Sequence, residues 1–79
     1  MYRRAGGVTS SGEMRLFVNG EERAFEAPLT VAGLVAALGL DGRKLGIERN
    51  LEIVPKSTYA DVALAEGDRL EIVTFIGGG

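Results

Sequence analysis

Three glycines, Gly77, Gly78 and Gly79, follow directly on the apolar run Leu70–Ile76 with no polar spacer between them. Glycine has no Cβ, so an extended Gly-Gly segment can thread a narrow channel in another protein, and a nucleophile can reach its carboxylate from either side. A side chain at Gly78 or Gly79 would clash in such a channel. A carboxylate is a poor electrophile at neutral pH because it offers no good leaving group, so transfer chemistry at Gly79 requires prior activation, as in an acyl-adenylate. No ATP site is legible in the chain, so a partner must supply the activation. With no cysteine present, sulfur placed on Gly79 must come from outside, and the product is a terminal thiocarboxylate rather than a persulfide. These residues imply carriage, with the chain a co-substrate of other enzymes and no catalytic residue of its own.

The rest of the composition narrows the alternatives. A chain of 79 residues buries only about 60% of the surface its unfolded form exposes, which leaves little room for an enclosed catalytic pocket. Absence of cysteine and histidine removes zinc sites, thiol nucleophiles and the commonest general base. The stretch Gly7-Val8-Thr9-Ser10-Ser11-Gly12 matches half of a phosphate-binding loop, but Glu13 and Met14 stand where lysine and a hydroxyl residue are needed. A net charge of −2 without a block of like charges argues against nucleic acid as a partner, and no apolar stretch is long enough to span a bilayer. The expected location is the cytoplasm, since no secretory signal opens the chain and no disulfide framework is possible.

The elements that must position the tail can be read in order. Residues 1–13 lack any period that could bury a face and are expected to be a disordered leader or a cloning remnant, with the domain over 14–76 and a flexible functional tail over 77–79. Met14, Leu16 and Val18 alternate with polar or outward positions, Asn19-Gly20 supplies a hairpin turn, and Glu21 to Phe25 returns as a second strand. Thr30 is a candidate N-cap, Val31, Leu34, Val35 and Leu38 share one helical face, and Gly39 fits the position after the helix. Leu45 and Ile47 mark a third strand, Glu52-Ile53-Val54 a short fourth, and Pro55 stops it. Lys56–Leu64 reads as loop with one helical turn, Glu66-Gly67-Asp68 as a turn, and Leu70–Ile76 as the last and strongest strand. One helix and four to five strands in about 65 residues can bury their apolar faces only by laying the helix across a mixed sheet, an α+β arrangement of the β-grasp type.

Alternation along the last strand points Leu70 and Ile72 to the core and leaves Glu71, Val73 and Phe75 facing away. Val73 and Phe75, with Ile76 beside the tail, are therefore candidates for partner docking; the competing reading is that a neighbouring loop, such as the one carrying Tyr59, covers them. Glu48, Glu52 and Glu71 read as a solvated sheet face, and Asn19-Gly20 and Gly67-Asp68 as turn chemistry.

MRLFVNGEE over 14–22, EIVPKSTY over 52–59 and EGDRLEIVTFIGGG over 66–79 together resemble the ThiS family of sulfur carriers. The resemblance runs from Met14 to Gly79, and its most specific element is Glu-Ile-Val-Pro, then Gly-Asp, then a strand ending in Gly-Gly. It implies a ubiquitin-like β-grasp and Met14 as the natural start. It further implies that a ThiF-type adenylyltransferase, using ATP and magnesium that this chain does not itself bind, activates Gly79. A sulfur donor system then makes the thiocarboxylate, and thiazole synthase (ThiG) receives the sulfur. Two positions depart from the family pattern: Leu51 follows Asn50 where a turn glycine is common, and Arg49 lies in phase with Leu45 and Ile47 where an apolar residue is usual. The alternatives are a MoaD-like subunit of molybdopterin synthase, a ubiquitin-like modifier conjugated through Gly79, and a β-grasp interaction module with an inert tail.

Overall fold

The computed structural model describes residues 12–75. Strand β1 (Glu13–Val18) and strand β2 (Glu21–Glu26) form the expected hairpin, with Asn19 and Gly20 both at positive φ in the turn. Helix α1 (Val31–Ala37) follows, then a 3-10 turn at Gly42–Lys44, β3 (Leu45–Arg49), β4 (Glu52–Ile53), a second 3-10 turn at Lys56–Thr58, and β5 (Arg69–Thr74). The five strands form one mixed sheet in the order β2-β1-β5-β3-β4, in which β1 and β5 are parallel and every other pair is antiparallel. This is the β-grasp inferred from the element order, with the last strand at the centre of the sheet.

The helix begins where the sequence places it. The Thr30 side chain accepts a hydrogen bond from the Gly33 amide (3.0 Å), and Gly39, at φ +72°, leaves the helix in a conformation that glycine adopts without strain. Val31, Leu34 and Val35 are buried against the sheet. The small residue at Gly33 also has a packing reason, because a Cβ there would stand 2.9 Å from Leu29 Cδ1. Leu16, Leu34, Leu45, Leu70 and Val31 are the largest fully buried side chains. Each such burial contributes roughly 1.5–3 kcal/mol, a large share for a domain of this size. Tyr59 lies in this core, and its carbonyl accepts from the Ala32 amide (2.8 Å).

Several boundaries differ from the sequence reading: the second strand runs on to Glu26, the fourth stops at Ile53 before Val54, and the last begins at Arg69. Strand β1 starts at Glu13, which pairs with Glu26, one residue before Met14. The last strand ends at Thr74 rather than Ile76, because its partner β3 begins at Leu45, the residue opposite Thr74. Past that point the Phe75 amide donates to the Lys44 carbonyl (2.7 Å) of the 3-10 turn. The turn at Gly42–Lys44 was read only as Asp41-Gly42 punctuation; Asp41 caps it by accepting from the Arg43 amide (3.0 Å). Residues 1–11 of the expected leader, and Ile76, Gly77, Gly78 and Gly79, lie outside the described residues.

Candidate functional site

The chain reaches the tail through β5, and β5 is held on both sides. On one side β3 pairs with it from Arg49↔Leu70 to Leu45↔Thr74. On the other, β1 pairs only at Phe17↔Arg69 and Val18↔Leu70, and the Asn19 side chain then continues the ladder. Its Oδ1 accepts from the Ile72 amide (2.7 Å) and its Nδ2 donates to the Ile72 carbonyl (3.2 Å), as a strand residue's backbone would. Asn19 is thus more than a turn residue. It clamps the strand that delivers the tail, and a hairpin Asn-Gly gave no sequence signal for that second role.

The face of β5 turned away from the helix carries the predicted patch. Val73 and Phe75 are 60% and 59% exposed, while Leu70 is buried and Ile72 packs against the core, so the predicted alternation is the observed one. No loop covers the patch among the described residues, since Tyr59 is in the core beneath the helix. Phe75 lies over Gly46, where a Cβ would come within 3.7 Å of the ring. The Lys56 ammonium sits 5.7 Å from the ring centroid, held there by donating to the Arg43 carbonyl (2.9 Å). An open depression of about 320 Å³ is lined by Gly46, Glu48, Ile53, Glu71, Val73 and Phe75.

Ile53, at 78% exposure, belongs to this patch and was missed. Ile53 and Val54 are adjacent apolar residues, so alternation alone does not say which faces outward; the structure buries Val54 and turns Ile53 out. Leu51, at 86% exposure, extends the apolar surface past Arg69 and Glu71. It occupies the turn position where glycine was expected, with φ +72°, and Asn50 before it has φ +50°.

The second departure, Arg49, is explained by Asp68. Arg49 Nε donates to Asp68 Oδ2 (2.8 Å), Asn50 Nδ2 donates to Oδ1 (3.1 Å), and the Ala65 amide donates to Oδ2 (2.9 Å). Burial pushes the Asp68 carboxyl up, but the Ala65 amide, Asn50 and Arg49 together more than offset it and hold the pKa below the ordinary value. Asp68 therefore ties the β3–β4 turn to the start of β5. The Gly67-Asp68 pair is a turn, as read, with Gly67 at φ +85°, but its aspartate is also a buried polar hub.

The arrangement leaves an exposed apolar face beside the end of β5, without a cluster of three or more potential metal ligands among the described residues. No helix among them is long and apolar enough to cross a membrane.

Comparison with known proteins fits this geometry. The model of the ThiS family matches residues 11–79. The chain is 64% identical over 66 residues to a thiazole synthase of Paramagnetospirillum magneticum, covering 84% of this chain and 20% of that protein. It is 42% identical over 50 residues to the sulfur carrier protein ThiS of Bacillus subtilis, covering 63% of this chain and 76% of that one. The chain spans about a fifth of the length of its thiazole synthase relatives. Among solved structures, the crystal structure of the thiamine biosynthesis protein ThiS from Geobacter metallireducens superposes with a TM-score of 0.72 at 29% identity, covering 84% of this chain and all of that one.

Proposed function

The chain belongs to the ThiS family, the sulfur carriers of thiamine biosynthesis, and from that membership we propose that it carries sulfur on the carboxylate of Gly79. A ThiF-type adenylyltransferase, with ATP and magnesium, activates that group: a carboxylate oxygen attacks the α-phosphorus and pyrophosphate leaves. Hydrosulfide supplied by a donor system then attacks the acyl carbon and displaces AMP, which leaves a terminal thiocarboxylate, and a thiazole synthase of the ThiG type takes the sulfur. In this reading Gly77 and Gly78 thread the partner's channel, while Val73, Phe75 and Ile76 dock beside its mouth.

The observation that carries the proposal is the exposed apolar pair of Val73, on the central strand, and Phe75, just past its end, two to four residues from the first glycine. Exposed apolar surface of this kind is commonly an interaction site, and its place next to the exit lets one partner hold the domain and receive the tail together. Thiazole synthase as acceptor is supported by the name of the two longer relatives, each containing a segment like this one. Cysteine-free composition supports external sulfur. The cytoplasm, where such partners would be found, is the expected location.

The test is intact-protein mass spectrometry after incubation with ATP, magnesium, a ThiF-type enzyme and a sulfur donor. Replacement of one oxygen by sulfur at Gly79 is the expected result. An unchanged mass with demonstrably active enzyme would sink the proposal in favour of conjugation or an inert module. The mass of the protein isolated from its native source establishes in parallel whether Gly79 carries a free carboxylate there.

A further inference from the structure

The turn that joins β1 to β2 holds a chemically labile pair. Asn19 is followed by Gly20, and both are exposed. With no Cβ on the following residue, the Gly20 amide nitrogen is sterically open to attack the Asn19 side-chain carbonyl carbon. Among the described residues nothing crowds that side of the turn, since a Cβ at Gly20 would meet no atom within 4 Å. The chain has one other side-chain amide, Asn50, and Leu51 after it presents a bulky side chain to the same approach. In the folded domain, however, the Asn19 amide is engaged at both ends. Its Oδ1 accepts from the Ile72 amide (2.7 Å), and its Nδ2 donates to the Ile72 carbonyl (3.2 Å). Swinging Cγ towards the Gly20 nitrogen breaks both bonds, so the clamp on β5 withholds the reacting carbon from its nucleophile.

We infer that Asn19 is a site of spontaneous deamidation, that its clamp on Ile72 gates the reaction, and that the product can no longer close the clamp. The Gly20 nitrogen forms a bond to Asn19 Cγ and gives up its proton, and the Cγ–Nδ2 bond breaks as ammonia leaves with that proton. Water then opens the five-membered imide at either carbonyl and leaves aspartate or isoaspartate at position 19. A carboxylate there still accepts from the Ile72 amide, but it has no donor for the Ile72 carbonyl and sets a charged oxygen against it. Arg23 lines the same depression as Asn19, Ile72 and Thr74, which gives the new carboxylate a cation to turn towards. Isoaspartate also adds a backbone carbon to the turn. The pairing of β1 with β5 ends at Val18↔Leu70, so Asn19 is the last hold on that side of the strand. On the other side β3 holds it as far as Leu45↔Thr74. Conversion therefore loosens the end of β5 without unfolding the domain. This goes beyond the sulfur-carrier reading and does not depend on it.

The test ages the folded protein and the chain in guanidinium chloride side by side in mildly alkaline buffer. Peptide mass mapping then follows the amide-to-carboxylate change at Asn19 and at Asn50. The denatured chain should convert Asn19 well before Asn50, and the folded protein should convert Asn19 at least about tenfold more slowly. Equal rates in the two states overturn the gate, and an Asn19 that survives in the denatured chain overturns the site. Asn19→Asp supplies one product directly. Its Ile72 amide should exchange hydrogen about tenfold faster than in the unaltered protein, while the Leu34 amide, bonded to the Thr30 carbonyl (2.9 Å) in α1, changes little. Equal acceleration at both amides, or none at Ile72, overturns the unlatching. Should the variant refold poorly, the same exchange measurement on folded protein deamidated at Asn19 by ageing decides the point.

Discussion

The two faces of one sheet have opposite characters. Beneath the helix, Leu16, Leu45 and Leu70 are fully buried, and at the margin Asp68 accepts hydrogen bonds from Arg49, Asn50 and the Ala65 amide. On the other side of the sheet, Val73 of β5, Ile53 of β4 and Phe75, just past the end of β5, are exposed around two facing glutamates. Since alternate residues of each strand serve alternate faces, one six-residue segment, β5, supplies both buried Leu70 of the core and exposed Val73 of the open face. A β-strand can thus be optimised for stability and for binding almost independently, residue by residue. The contrast teaches that substitutions one position apart should fall into different phenotypic classes.

Replacing a core residue of β5 tests this most severely. Leu70→Ala is expected to cost about 2–5 kcal/mol, enough to unfold much of a domain this small, and a melting curve reads it. An unchanged melt would break the assignment of faces.

At the margin of the core, Asp68→Asn leaves Arg49 without its charged partner and should cost about 1–3 kcal/mol at neutral pH. The folded pKa of Asp68 lies below its ordinary 3.8. Ionised Asp68 therefore stabilises the native state above that pH, and the contribution is lost as pH falls through the folded value. Stability measured by denaturant titration between neutral pH and about pH 3 should accordingly fall less steeply in the variant. Parallel curves would assign acid sensitivity to other carboxylates.

Opposite results are expected one residue outward. Phe75→Ala should change stability by no more than about 0.5 kcal/mol, yet raise the KM of the carrier for its adenylylating enzyme by about tenfold, equivalent to about 1.4 kcal/mol. A variant that loses stability and keeps its KM would place Phe75 with the core.

The smallest effect belongs to the turn at the edge. Leu51 holds φ +72°, a region that costs a non-glycine residue about 1–2 kcal/mol, partly offset in Leu51→Gly by the greater freedom of the unfolded chain. A net gain of about 0.5–1 kcal/mol is expected in denaturant unfolding. No gain would mean that exposed Leu51 packs more usefully than its accessibility suggests.

Much of this was legible before any coordinates. The Thr30 cap, the Asn19-Gly20 turn, the helix face of Val31, Leu34 and Val35, and the outward phase of Val73 and Phe75 rest on short-range geometry, because periods of 2 and 3.6 and the special φ of glycine and asparagine operate within a few residues. Ile53 was not legible on the same rule, because its neighbour Val54 is apolar too and only the packed core decides which of the two turns inward. The Arg49–Asp68 pair and the Asn19–Ile72 clamp join residues 19 and 53 positions apart, and no local pattern announces such partners.

The sequence by itself determined the kinds of element, the phase of Leu70, Ile72, Val73 and Phe75, the lack of a thiol or imidazole, and the glycines that follow Ile76. Only the tertiary structure decided that β5 lies in the middle of the sheet between β1 and β3, that Arg49 is neutralised by Asp68, and that Glu48 faces Glu71. The reason is physical: alternation and capping are set by bonds between near neighbours, whereas strand order, register and charge pairing are set by which distant surfaces come together when the core closes.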